Sequence, residues 1–119
     1  MSASACIITN QPRQKHKLTK FLRHHPLIAP NFPRNLQQIF ELIQQSDILL
    51  IVIAIKESPI QATKICHALK KHPLTHNTPI VLVKYRDILE KHQLADAYLT
   101  KDFSLQDFNQ ILRQLTMGY

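Results

Sequence analysis

Apolar residues along this chain alternate between two spacings. Short continuous runs read as strands covered on both faces. Between them, apolar positions recur at i, i+3, i+4 and i+7, the period of a helix with one buried face. The first run is Ala5-Cys6-Ile7-Ile8, followed by a helical pattern through Leu18, Phe21 and Leu22. A weaker run, Leu27-Ile28-Ala29, lies between Pro26 and Pro30. Pro33 suits the first turn of a second helix, whose apolar positions are Leu36, Ile39, Phe40 and Ile43. Ile48 to Ile55 is apolar at every position, which predicts a strand at the centre of a parallel sheet. Ser58-Pro59 supplies a cap and a first residue for the next helix, with Ala62, Ile65, Cys66 and Leu69 on its buried stripe. His72-Pro73 ends that helix, because the residue before a proline is pushed out of the helical region.

Pro79 then opens a strand, Ile80-Val81-Leu82-Val83; a short helix is predicted around Ile88-Leu89, and a fifth strand at Ala97-Tyr98-Leu99. The last helix starts after Ser104, whose hydroxyl forms a capping box with Asp107. Its buried stripe is Leu105, Phe108, Ile111, Leu112 and Leu115. Strand and helix alternating five times specify an α/β fold in three layers, α/β/α. Its five-stranded parallel sheet takes the flavodoxin-like order 2-1-3-4-5. In such a sheet the functional crevice lies beyond the carboxyl ends of the strands. Here those ends are Thr9-Asn10, Ile53 to Lys56, Lys84-Tyr85 and Thr100-Lys101.

A length of 119 residues suits one domain spanning 1–119. One glycine is too few for a Gly-rich phosphate-binding loop. The run Ile48 to Ile55 is the longest apolar stretch, far short of the ~20 residues a membrane span needs. The N-terminus has no signal-peptide pattern, and two cysteines make no disulfide framework, so a reducing cytoplasmic setting is expected. The net charge of +7 is unevenly spread, because the first acidic residue is Glu41. Before it stand Arg13, Lys15, Lys17, Lys20, Arg23 and Arg34. On a helix Arg13, Lys17, Lys20 and His24 fall along one stripe. The stripe reads as a solvated face, a contact for an acidic protein surface, or a phosphate-binding edge. No aromatic within it could stack on bases, which disfavours the last.

Other clusters carry less. Cys66, His67, His72 and His76 have metal-ligand chemistry, but Cys66 belongs to the buried stripe, His67 points about 100° away from it, and His72 and His76 belong to a loop broken by Pro73. His24 and His25 are adjacent and diverge on a helix. Cys6 and Cys66 are placed as small buried hydrophobes, not activated nucleophiles. Glu57 and Asp87 are the nearest carboxylates to the crevice and have no evident partner for acid–base work. No enzyme, metal or cofactor is expected.

The stretch Leu94-Ala-Asp-Ala-Tyr98-Leu-Thr-Lys101-Asp-Phe103 resembles the fifth strand and following turn of response-regulator receiver domains, the CheY-like family. The resemblance takes in Asp47-Ile-Leu-Leu, the helix Ile65 to Pro73, and Thr78-Pro79-Ile-Val-Leu-Val83. It implies a CheY-like (βα)5 fold and a role in two-component signal transduction. Working receivers hold Mg²⁺ on acidic residues after the first strand and phosphorylate an aspartate at the end of the third. Here Thr9, Asn10 and Gln11 follow the first strand, without the carboxylates a hard dication favours. The phospho-acceptor position falls on Val52 or on Ala54, depending on where a length change is placed. Lys84 replaces the family's hydroxyl at the end of the fourth strand, and of the phosphate-site residues only Lys101 remains, expected to pair with Asp102 or Asp87.

Tyr98 matches the family's switch aromatic, held outward at a binding face or packed. The resemblance thus implies a degenerate pseudo-receiver. Such a module would work without phosphorylation, binding a kinase, a regulator or a clock or stress component with an acidic surface. The expected contact residues are Lys91, Tyr98 and Lys101 around the last strand, with Arg13, Lys17 and Lys20 of the first helix as a second face. The alternative is a regulator binding nucleic acid through the basic residues 1–40. A small ligand in the crevice is a third possibility.

Overall fold

Side-chain parity along one strand organises the molecule. The computed structural model describes residues 3–56, 59–85 and 95–116. Strands β1 (Ala3–Thr9), β2 (Ile28–Asn31), β3 (Asp47–Ala54), β4 (Ile80–Lys84) and β5 (Ala97–Thr100) form one parallel sheet of order β2-β1-β3-β4-β5. Helices α1 (Pro12–Leu22), α2 (Leu36–Gln45), α3 (Pro59–Lys71) and α4 (Leu105–Leu115) cover it. Leu50, Val52 and Ala54 of β3 pack with Leu18 and Leu22 of α1 and Phe108 and Leu112 of α4. Ile51 and Ile53 pack on the other side with Ile39 of α2 and Cys66 and Leu69 of α3. Because β3 is buried on both faces, its apolar run is continuous, as the hydrophobic pattern predicts. An irregularity in the β1–β3 register, with Ser4 opposite Ile48 and Ala5 opposite Leu50, leaves Leu49 as an extra residue. That bulge is why Ile48 shares a face with Ile51 and not with Leu50.

The start of α4 is specified locally. Ser104 Oγ accepts from Asp107 N at 3.1 Å while Asp107 Oδ2 accepts from Ser104 N at 3.0 Å. Phe103 before the cap packs against Phe108 with ring centroids 6.2 Å apart, a hydrophobic staple at N′ and N4. Phe21 of α1 completes the trio, 5.7 Å edge-to-face from Phe103. These rings couple the first and last helices to the end of β5.

Several sequence expectations shift. Pro33 does not open α2: Asn35 is the cap, accepting from Gln38 N at 2.9 Å, and Pro33 is buried ahead of it. Leu27 is 82% exposed, and β2 runs one residue later through Pro30. An edge strand tolerates that proline, having a neighbour on one side only. His24 lies beyond the end of α1, so the basic stripe is shorter than the spacing predicts. The short helix expected around Ile88-Leu89 and the Ser58 cap fall outside the described residues.

Candidate functional site

The carboxyl ends of the strands meet in a crevice whose rim is tied by neutral groups. Thr9 Oγ1 donates to the Ala54 carbonyl at 2.7 Å and accepts from Gln11 N at 3.0 Å. Asn10 Oδ1 accepts from Gln11 Nε2 at 3.1 Å and from Lys56 N at 3.4 Å. Thr9 and Asn10 therefore spend their polar atoms bridging β1 to the end of β3. Ala54 stands at that strand end, opposite Thr9, whereas Val52 is buried two residues deeper in the sheet.

Beside this rim lies a cavity of about 440 Å³ lined by Gln11, Arg13, Gln14, Lys17, Lys56, Tyr85, Lys101 and Asp102. Among the described residues, four cations thus face one carboxylate. None of the four is ion-paired with a described carboxylate; Lys101 does not bond to Asp102, contrary to expectation, and Asp87 lies outside the described residues. The backbone carbonyl of Lys101 accepts instead from Gln14 Nε2 at 2.9 Å and from Lys17 Nζ at 3.3 Å. Lys17 Nζ also sits 3.9 Å from the Phe103 ring centroid. Partial burial lowers the Lys17 pKa, against the pull of Asp102 and Asp107. Lys17 is thus turned toward the crevice and is not an outward member of a stripe. Lys20 remains exposed on the helix.

Gln14 lies outside the expected site residues, yet it is 6% exposed, and its Oε1 makes no hydrogen bond. The neighbouring Tyr85 hydroxyl is buried and likewise makes none. Burial raises the Tyr85 pKa, and the proximity of Gln14 tempers the rise without completing a bond. The signal was available: Gln14 precedes Leu18 and Leu22 at four-residue spacing, so it is a polar residue on the apolar stripe. Lys56, directly after the apolar run of β3, lines the crevice at one of the strand ends expected to form it.

Lys84 and Tyr98 form a separate pair. The Lys84 ammonium lies 4.5 Å from the centre of the Tyr98 ring. The ring packs against the core under α2 and α3, and its hydroxyl accepts from Ala95 N at 3.4 Å. Tyr98 is packed and half-buried. Lys91 lies outside the described residues.

The histidines have local roles. His72 stacks on Phe40 with centroids 4.0 Å apart, and its Nδ1 accepts from Leu74 N, so it is half-buried and not simply part of a solvated loop. His25 Nε2 lies 2.8 Å from Asn109 Oδ1. Cys6 and Cys66 are fully buried, and burial pushes the Cys6 thiol up to about 12. Among the described residues no three His, Cys, Asp or Glu side chains gather where they could hold a metal ion. No described helix is long and apolar enough to cross a membrane.

The sequence matches no protein-family model and no curated protein. Solved structures share its fold over nearly the whole chain. The signal receiver domain of a histidine kinase from Syntrophus aciditrophicus is 19% identical, with a TM-score of 0.76 over 97% of this chain and 90% of that one. The signal receiver domain of a histidine kinase from Clostridium thermocellum is 14% identical, with a TM-score of 0.77 over 98% and 99%. The response regulator TrrA from Thermotoga maritima, solved in complex with Mg²⁺ and BeF, is 14% identical, with a TM-score of 0.74 over 97% and 99%. The fold is therefore that of CheY-like receiver domains.

Proposed function

We propose that residues 1–119 form a pseudo-receiver: a non-catalytic, phosphorylation-independent module that binds an acidic surface of another signalling protein. The receiver fold supports the signalling setting. One observation carries the mode of action. Where a receiver needs carboxylates for Mg²⁺ and an acyl phosphate, Thr9, Asn10 and Ala54 form a neutral rim, and Arg13, Lys17, Lys56 and Lys101 surround the adjoining cavity. A dication is repelled by that field, whereas a partner's carboxylates are drawn to it. Opposite charges of this kind speed and orient encounter more than they set final affinity.

Incubation with acetyl phosphate and Mg²⁺ is expected to leave the intact mass unchanged; a gain of one phosphoryl group overturns the reading. Reversing Arg13 and Lys101 to glutamate is expected to abolish recovery of the native partner from the cytoplasm. Nucleic-acid binding through residues 1–40 would instead show as a DNA or RNA complex that weakens steeply with salt and with neutralisation of Lys17 and Lys20. The seating of Lys17 on Phe103 and the Lys101 carbonyl counts against it, because a cation so engaged is poorly placed to follow a phosphate backbone.

A further inference from the structure

A second and larger cavity, about 820 Å³, opens on the other side of the β1–α1 connection and shares no described lining residue with the cationic crevice. Its walls come from the end of β1, the segment leading into α2, and α3. Ile8, Phe32, Leu36 and Ile65 present apolar surface to it, and all four are only half-buried. Lys15 and Arg34 stand exposed at its mouth, and no Asp or Glu is among its described lining residues. The Lys15 ammonium lies 4.7 Å from the centre of the Phe32 ring, which places positive charge directly over the apolar wall. Neither cation is paired with a described carboxylate. The volume falls within the ~300–1,000 Å³ of clefts that enclose small ligands, and this position beyond the β1 and β3 carboxyl ends is where such sheets change winding direction.

We propose that this cavity binds a small organic acid: an apolar body seated among Phe32, Leu36 and Ile65, with its carboxylate at the mouth between Lys15 and Arg34. Charge and apolar surface select the ligand together. A neutral hydrocarbon leaves the two cations unanswered, an organic cation is repelled, and a bare inorganic anion leaves the apolar wall wet. The α2 amino terminus adds little to selection, since Asn35 and Gln38 already satisfy the amides of Gln38 and Arg34. The inference does not depend on the signalling role, and it predicts occupancy whether or not a protein partner is present.

The test is a titration of the full-length, ¹⁵N-labelled chain with 2-naphthoate, 2-naphthalenemethanol and 2-naphthylmethylammonium in parallel. Naphthoate is expected to give saturable shifts at the amides of Phe32, Leu36 and Ile65, the alcohol weaker ones, and the ammonium none. Combined Lys15→Glu and Arg34→Glu is expected to weaken naphthoate by at least ~10-fold, equivalent to ~1.4 kcal/mol. The same change of net charge placed at Lys20→Glu and Arg23→Glu, exposed residues outside the cavity, is expected to leave naphthoate affinity within about twofold. All four positions are exposed, so the variants should retain the native spectrum. The proposal is overturned by an absence of saturable shifts, by shifts centred on Gln14 and Lys101, by equal binding of the three probes, or by equal losses in the two charge-reversed pairs.

Discussion

Asp96 gives the sharpest quantitative test of how the amino ends of β4 and β5 are held together. One carboxylate oxygen accepts from Ile80 N at 2.8 Å and from Lys70 Nζ at 2.6 Å, while the Asp96 amide donates to the Ile80 carbonyl at 2.8 Å. Ile80 is fully buried, so its amide has no water to turn to if the carboxylate is removed. A hydrogen bond to a charged acceptor contributes ~1.5–3 kcal/mol, and an unpaired buried donor costs a similar amount. The ion pair is worth much less. The Lys70 and Asp96 side chains are 29% and 39% exposed, and a pair so open to solvent contributes ~0–1 kcal/mol. Asp96→Ala should therefore cost ~2–3 kcal/mol, Asp96→Asn, which keeps an acceptor for Ile80, about 1 kcal/mol, and Lys70→Gln under ~1 kcal/mol. With a urea slope of ~1–3 kcal/mol/M, the first loss lowers the unfolding midpoint by roughly 1 M and the last by a few tenths. Urea titrations of the three variants decide it. If Lys70→Gln costs as much as Asp96→Ala, or Asp96→Ala lies within ~0.5 kcal/mol of the parent, the bond to Ile80 does not carry the stability assigned to it.

Three more predictions follow from local features. The hydrogen bonds from the Ser104 backbone and side chain, helped by Lys17, hold the Asp107 carboxyl below its ordinary pKa. Its contribution is therefore complete above the unfolded-state value, is lost as pH falls through the lower folded value, and should flatten in Ser104→Ala, measured as stability against pH. Cys6 has the opposite sense. Its folded pKa is about 12 against an ordinary 9.0, so the stabilisation is intact below 9.0 and declines as pH rises toward 12. Native protein should leave Cys6 unreacted with a thiol reagent at mildly alkaline pH, and guanidinium should release it. Phe108→Ala removes a 1%-exposed ring from the α1–α4 contact and should cost ~3–5 kcal/mol in the same urea assay.

Local signals and distant contacts explain what could be read from the chain. The continuous apolar run of β3 and the Phe103-Ser104-x-x-Asp107-Phe108 pattern state their own structure, because burial on two faces and helix capping act over a few residues. The order of the strands follows from right-handed crossovers in a five-unit alternation. The start of α2 departs from the expected Pro33 because Pro33 and Asn35 are both legitimate starters, and the side-chain bond to Gln38 chooses between them. The crevice was legible as a place and only partly as a set of side chains. Arg13, Lys17 and Lys101 converge there, but the bonds that fix Gln14 and Lys17 cross 87 and 84 residues of chain. Helical spacing gives an azimuth; it does not tell a lysine which distant ring or carbonyl it will meet. Tyr98 and Lys84 show the same limit, since their contact depends on pairing of β4 with β5.

The Thr9 hydroxyl, clasped between the Ala54 carbonyl and the Gln11 amide, makes a seam that neither titrates nor chelates. Sequestering divalent metals should leave this seam unchanged, and none of its three groups takes up a proton on acidification. If the proposed docking holds, a surface framed this way keeps one outline through swings of ionic milieu, and variation in output then originates in the abundance or state of whatever docks upon it.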